Sequence, residues 1–249
     1  MALLGTWVNA LAIIAGSLLG LFLPRMPEGI KTTVMQGIGL SLVILGVSMA
    51  LKSSDFLILV ASLVIGGVAG ELLKVEAWLH KLGLWLEKGV NGLGRLRPFR
   101  ATWEKSEGKV AAGFVTTTLI YCVGAMAILG AMDSGLRGDH QVLYMKSMLD
   151  GFSSIIFAST LGVGVMFSSI PILLYQGAIA LSATAIAGTI DQEMLSGMIV
   201  QVTAVGGALI IGIGINILEL KRISIANLLP SVFIAAMSVP LLAWINSLT

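Results

Sequence analysis

Eight stretches of the chain read as membrane-crossing helices: residues 4–23, 32–51, 56–73, 110–132, 148–169, 171–190, 195–218 and 225–246. The template is set by the bilayer, whose ~30 Å hydrocarbon core needs about 20 apolar residues at a rise of ~1.5 Å each. Pro24 and Pro27 close the first stretch, Lys52-Ser53-Ser54-Asp55 divide the second from the third, and Asp191-Gln192-Glu193 divide the sixth from the seventh. Pro171 stands near the start of the sixth, where a proline costs no helix hydrogen bond. The fifth is rich in Gly, Ser and Thr, and a continuous or a broken helix both fit it. Arg25 and Lys31 follow the first apolar run instead of preceding it, the pattern of a retained helix and not of a signal peptide.

One long polar segment, residues 74–109, interrupts this pattern. Val75, Trp78, Leu79, Leu82, Trp85 and Leu86 recur in it at helical spacing, with Lys74, Lys81 and Lys88 nearby. Tryptophan rings and lysines both favour the headgroup region, so an amphipathic helix lying on the membrane is expected, either as a plain connector or as a gating element. The basic run over 92–100 then has anionic lipid as its neighbour. The expected fold class is all-α: one polytopic transmembrane helix bundle over 1–249, with three spans in 1–73, a cytoplasmic connector in 74–109 and five spans in 110–249.

Composition agrees with lipid as the main solvent. Hydrophobic residues make up 57% of the 249 and charged ones 11%, where a water-facing domain carries about 25% charged residues. Mean hydropathy is +0.98. A soluble enzyme and a disordered chain are excluded, and a net charge of +2 leaves no electrostatic footprint for nucleic acid. The placement of charge says more than its scarcity. With eight spans, Lys52, Arg137 and Lys146 fall on one side, and the other 12 of the 15 basic residues fall on the opposite side. Positive charge is retained in the cytoplasm, so both termini are expected outside.

Polar groups inside apolar spans are costly unless partnered, which makes them the first functional candidates. Lys146 and Asp150 stand one helical turn apart at the start of the fifth span and can neutralise each other. Ser153, Ser154, Ser159 and Thr160 follow on the same span, and Thr116, Thr117 and Thr118 lie on the fourth. Together they form a candidate substrate pathway, because hydroxyls can replace the hydration shell of a small solute. The alternative is that these hydroxyls serve close helix packing and bond their own backbone. For Lys146 and Asp150 it is an exposed ion pair at the outer interface. Asn9, Gln176 and Asn216 sit within apolar runs and each needs an interhelical partner.

Two short internal matches accompany these residues. Gly113-Phe114 precedes Thr116–Thr118 and Gly124, and Gly151-Phe152 precedes Ser153-Ser154 and Gly162, with eleven residues from first to last glycine in each. A second match joins 42–51 to 208–217, with Gly46 and Gly212 at like positions. Span parity makes both pairs antiparallel, as inverted-repeat transporters require, although Gly-rich apolar segments also match by chance.

Catalysis finds little support in the residues. Cys122 is a single cysteine, and His80 and His140 lie in different polar segments, so no thiolate cluster or histidine metal pair is expected. Neither histidine falls within a span to serve as a base for a serine nucleophile, and no glycine loop with Lys-Ser/Thr is present for a nucleotide. The expectation is a protein that is not an enzyme and needs no cofactor.

Taken in order, Gly5-Thr6-Trp7-Val8-Asn9, Gly16-Ser17-Leu18-Leu19-Gly20, Gln36-Gly37-Ile38-Gly39-Leu40, Gly70-Glu71, Gly113-Phe114, Cys122-Val123-Gly124-Ala125-Met126, Lys146-Ser147-Met148-Leu149-Asp150-Gly151, Tyr175-Gln176-Gly177 and Ile225-Ala226-Asn227-Leu228-Leu229-Pro230 resemble the YdfK/YqgA-like family of bacterial multi-pass inner-membrane proteins. The resemblance covers essentially the whole chain and implies a bacterial cytoplasmic-membrane location; it supplies no substrate. The function expected is passive or secondary transport of a small polar solute or ion by a homo-oligomer in the lipid bilayer. A membrane scaffold or sensor acting through its cytoplasmic segment is the alternative.

Overall fold

A computed structural model of the chain describes residues 2–22, 28–53, 55–79, 81, 109–122 and 124–246. Among the described residues every regular element is helical: α1 (Leu4–Phe22), α2 (Glu28–Ala50), α3 (Phe56–Leu73), α4 (Lys109–Cys122), α5 (Ala125–Leu136), α6 (Gln141–Leu161), α7 (Gly164–Phe167), α8 (Ser169–Thr189), α9 (Gln192–Ile217), a 3₁₀ turn (Ile225–Leu228) and α10 (Pro230–Asn246). Polar punctuation in the sequence becomes capping. Asp55 Oδ1 accepts the Leu57 amide at 2.8 Å and opens α3, and Asp191 Oδ1 accepts the Met194 amide at 2.8 Å and opens α9. Each carboxylate satisfies one of the amide donors that a helix start leaves unpaired. Most of the connector expected over 74–109, with Leu82, Trp85, Leu86, Lys88 and the basic run, lies outside the described residues.

Six of the helices are long and apolar enough to cross a membrane, and a bent pair, Val110–Cys122 with Met126–Leu136, makes a seventh if it is one span. The continuous helix expected over 110–132 is therefore corrected. Its two halves meet at 62°, and Gly124 at the break has φ +136°, a backbone conformation open to glycine alone at little cost. The expected fifth span also shifts. Its helix, α6, begins at Gln141 instead of residue 148 and ends at Leu161, where Gly162 (φ +82°) leads into α7. The apolar run is shorter than the helix because Lys146 and Asp150 interrupt it, although both belong to the helix interior.

The chain folds as two compact units. The first contains α1, α4, α5, α6, α7 and α8 as far as Ala183. Its spine is the pairing of α1 with α6. The buried stripe of α1 is Gly5, Thr6, Asn9, Ala10, Ile13, Gly16, Ser17 and Gly20, mostly small residues recurring at helical spacing. Gly5 meets Leu143, Gly16 meets Gly151 and Gly20 meets Ile155, so the two helices run parallel. A Cβ on Gly16 or Gly20 would collide with the carbonyl oxygen of Gly151 or Ile155, which makes backbone approach the basis of this contact. α4 lies antiparallel to α6, with Gly113 near Leu161 and Tyr121 beside Ser154.

The second unit contains α2 from Thr32, α3, α9, the 3₁₀ turn and α10. α9 is its buried helix, with Ala204, Val205 and Leu209 fully enclosed. Gly46 meets Gly207 and Gly39 meets Gly214, which sets α2 antiparallel to α9; Gly66 meets Ser231 and Gly70 meets Asn227, which sets α3 antiparallel to the 3₁₀ turn and α10. Both units thus rest on glycines at helix crossings, and Leu, Ile, Val and Phe point outward from α2, α3 and α10.

Replacing Gly16 with Val is expected to force α1 off α6 and destabilise the protein by about 1–3 kcal/mol, because two methyl groups would occupy space now filled by backbone. Gly37→Val, at a position with nothing within 4 Å of an added Cβ, should leave stability nearly unchanged. Thermal unfolding of the two purified variants in detergent, compared with the parent, checks the contrast.

Candidate functional site

The site grows from one helical face. On α6 the buried positions Leu143, Lys146, Ser147, Asp150, Ser154, Phe157 and Ala158 follow the helical repeat, so the two charged residues project from the packed side. Lys146 is 7% exposed and Asp150 6%. The Lys146 ammonium lies 2.7 Å from Asp150 Oδ2 and 3.0 Å from Oδ1. Asp150 is tenth of the 21 residues of α6, about 14 Å along a helix rising ~1.5 Å per residue, and so near its midpoint. The exposed interfacial ion pair weighed for these residues is overturned by their burial.

Two neighbouring helices complete the charge pair. Asn9 on α1 donates from Nδ2 to Asp150 Oδ2 at 3.1 Å and, from the same nitrogen, to Gln176 Oε1 on α8 at 3.3 Å. Both amides are fully buried. A carboxylate accepts hydrogen bonds only, so its charge dictates which atom Asn9 turns toward it; that nitrogen then dictates which atom Gln176 presents. The direction runs without choice: Lys146 to Asp150, Asn9 to Asp150, Asn9 to Gln176. It leaves Asn9 Oδ1 and Gln176 Nε2, both buried, without a partner among the described residues.

A second polar group sits one turn further along α6. Tyr121, near the end of α4, is 1% exposed, and its hydroxyl lies 2.8 Å from Ser154 Oγ. Ser153 Oγ approaches the same hydroxyl at 3.3 Å and the Asp150 carbonyl oxygen at 3.1 Å. Tyr121 was not among the residues singled out from sequence. The available signal was its type, since a tyrosine enclosed in an apolar helix requires a partner for its hydroxyl.

The remaining candidates divide. Thr117 donates to Gly113 O, Ser159 to Ile156 O, and Thr160 to Ile156 O and Phe157 O, so these hydroxyls bond their own helices. Thr118 Oγ1 is buried without a partner among the described residues, and Thr116 is half-buried. Asn216 belongs to the second unit, where its amide bonds both the carbonyl (2.8 Å) and the N–H (2.7 Å) of Ile223 and closes the turn after α9. The structure thus brings Asn9, Lys146, Asp150, Ser153, Ser154 and Gln176 together, adds Tyr121, and places Asn216 elsewhere. No group of three or more His, Cys, Asp or Glu residues is positioned for a metal among the described residues.

The chain as a whole is similar to known proteins. The family described as "Protein of unknown function (DUF554)" matches residues 4–240. The "Uncharacterized membrane protein YdfK" of Bacillus subtilis (strain 168) is 33% identical over 235 residues, 92% of this chain and 93% of the relative. The "Uncharacterized protein YqgA" of Escherichia coli (strain K12) is 30% identical over 236 residues, 93% of this chain and 94% of the relative. No solved structure matches.

Removing one member of the ion pair leaves the other charge buried without its counter-charge. Lys146→Met and Asp150→Leu should each destabilise the protein by about 3–5 kcal/mol, while the double variant should recover most of that loss. A double-mutant cycle of thermal unfolding gives the coupling; equal and additive losses would mean that the pair does not hold in the folded protein.

Proposed function

The chain belongs to the DUF554 family, whose members include a relative described as a membrane protein, and from that premise we propose that it is a passive or secondary transporter of a small polar solute or ion. The observation that carries this reading is the buried Lys146–Asp150 pair with the half-partnered amides of Asn9 and Gln176 beside it. Charges inside apolar helices are costly to keep, and in membrane proteins they mark solute, ion or proton paths. Nothing in the packing of α1 on α6 calls for them. A leucine and a methionine would fill that space, and a buried pair contributes little net stability over such a replacement.

The same proposal includes the finer topology. α1 and α6 run parallel, so an odd number of crossings separates them, and α2, α3 and the bent pair α4–α5 supply three. α6 then becomes the eighth span, kept below the apolar threshold by its own site residues. Both termini lie outside, and the basic residues gather on the cytoplasmic side of a bacterial inner membrane.

An inverted repeat is supported by more than the original match. α4 and α6 are antiparallel; α4 ends at Cys122, two residues before Gly124, and α6 ends at Leu161, next to Gly162, and both of these second glycines have positive φ. Broken helices facing each other across a repeat are where transporters of this type hold their solutes. Homo-oligomer formation and the absence of catalysis belong to the same proposal.

Full-length protein in proteoliposomes should show flux of at least one compound in a panel of labelled small solutes and ions, and Asp150→Ala should reduce it at least ~100-fold, the scale of a lost substrate-orienting contact. A cysteine at Ser154 in a Cys122→Ser background should react with a water-borne thiol reagent. An unreactive cysteine together with no flux across the panel would favour a membrane scaffold instead.

A further inference from the structure

Hydrogen-bonding capacity around Asp150 is unequal. Both carboxylate oxygens are occupied, Oδ2 by Lys146 and Asn9 and Oδ1 by Lys146. What is left over lies mainly on the donor side: the N–H bonds of Gln176 Nε2, which have no partner among the described residues, and the ammonium N–H bonds that Lys146 does not direct at Asp150. Asn9 Oδ1 is the one free amide acceptor in the cluster. A metal cation needs several oxygen ligands and would meet the Lys146 ammonium already seated on the carboxylate. A ligand that accepts hydrogen bonds and carries negative charge fits what the site offers.

Charge sets a further condition. Lys146 and Asp150 sum to zero, and a monovalent anion added to them would leave one uncompensated negative charge among buried groups, a state costing several kcal/mol. A proton on Asp150 removes that cost. Held on Oδ1, it leaves Oδ2 as a carbonyl that still accepts from Asn9, so the orientation of both amides is preserved. The Oδ1–H then becomes a third donor beside the ammonium. The site holds ammonium, anion and neutral acid, and its sum is again zero.

We infer that this site binds a small monovalent anion that accepts hydrogen bonds from the free donors of the cluster, those of Lys146 Nζ and Gln176 Nε2, and takes up one proton on Asp150 with each anion. The binding stands on the geometry above; movement of the pair across the membrane as electroneutral symport rests on the transporter reading. The ionisable groups on α6 and the helices packed around Asp150 are Lys146 and the exposed Tyr144 on α6, Lys109 at the start of α4 with Tyr121 and Cys122 at its end, and Tyr175 beside Gln176 on α8. α1 and α7 carry none, and Asp133 of α5 lies 3.8 Å from Arg137, just beyond the end of that helix.

Thermal unfolding of the full chain in detergent, titrated with sodium chloride, nitrate or formate against sodium gluconate, tests binding. At least one of the three anions should stabilise the protein, with an apparent affinity that weakens about tenfold per unit rise in pH. Asp150→Asn, which leaves Lys146 uncompensated, should be less stable than the parent, should gain more from the same anion, and should do so independently of pH. Gln176→Glu should lose the response. A pH-independent affinity in the parent, or no response to any of the three anions, overturns the inference, and neither result depends on a variant folding.

In proteoliposomes an inward gradient of the responding anion should acidify the lumen whether or not the membrane potential is clamped. Flux of some other solute, without anion binding, would overturn the anion site and leave the transporter standing. Proton-linked anion binding without flux of any solute would support the site and remove the transporter.

Discussion

A buried charge must be neutralised where it lies, and in this molecule that requirement organises the site. Asp150 sits at the middle of α6, away from water, and Lys146 one turn earlier supplies the opposite charge. The carboxylate then imposes an orientation on Asn9, and Asn9 imposes one on Gln176, because an ionised carboxylate has only acceptors to offer. Helices α1, α6 and α8 are linked by a chain of contacts whose direction follows from one negative charge. Replace that carboxyl group by an apolar side chain and neither amide has a reason to face as it does.

Such a chain forms only if the helices come close, and the small residues of α1 allow this. Gly16 and Gly20 bring its backbone onto the carbonyls of Gly151 and Ile155, and Asn9 stands on the same stripe within reach of Asp150. A larger residue on that stripe would separate the helices by more than a hydrogen bond tolerates. In the second unit glycines make the same kind of contact, Gly46 on Gly207 and Gly70 on Asn227, and polar groups secure the ends of elements: Asn227 bonds Glu71 at the end of α3 at 2.6 Å, and Asn216 bonds Ile223 in the turn after α9. Close packing is therefore shared by both units, while the buried charge pair belongs to the first.

Much of the helical plan could be read from local pattern. Apolar length identified α1, α2, α3, α8, α9 and α10 to within a few residues, and the polar breaks at Asp55 and Asp191 became caps. Gly16 with Gly20 and Gly66 with Gly70, each pair one helical turn apart, lie at helix crossings. The pattern misled where polarity and burial part company. Lys146 and Asp150 interrupt the apolar run and so resemble a boundary, yet their mutual neutralisation lets them lie buried within α6. Thr117, Ser159 and Thr160 read as a path, but a hydroxyl on a helix can reach the carbonyl three or four residues back, and these do. The bend after Cys122 had only a glycine to announce it, and glycine is common throughout the chain.

Sequence alone therefore determined that this is a helical membrane protein of the DUF554 family, which segments are helices, and which residues must find partners. Those properties depend on apolar length, on helical spacing and on the identity of each side chain, all of them local. Only the tertiary structure decided the partners: that Asn9 answers Asp150, that Gln176 follows Asn9, that Tyr121 joins Ser154, and that Asn216 serves a turn. Partners are separated by as many as 167 positions in the chain, and no local pattern encodes which face of one helix meets which face of another. That choice belongs to packing, where glycines set the distance and one buried carboxylate sets the direction of the hydrogen bonds.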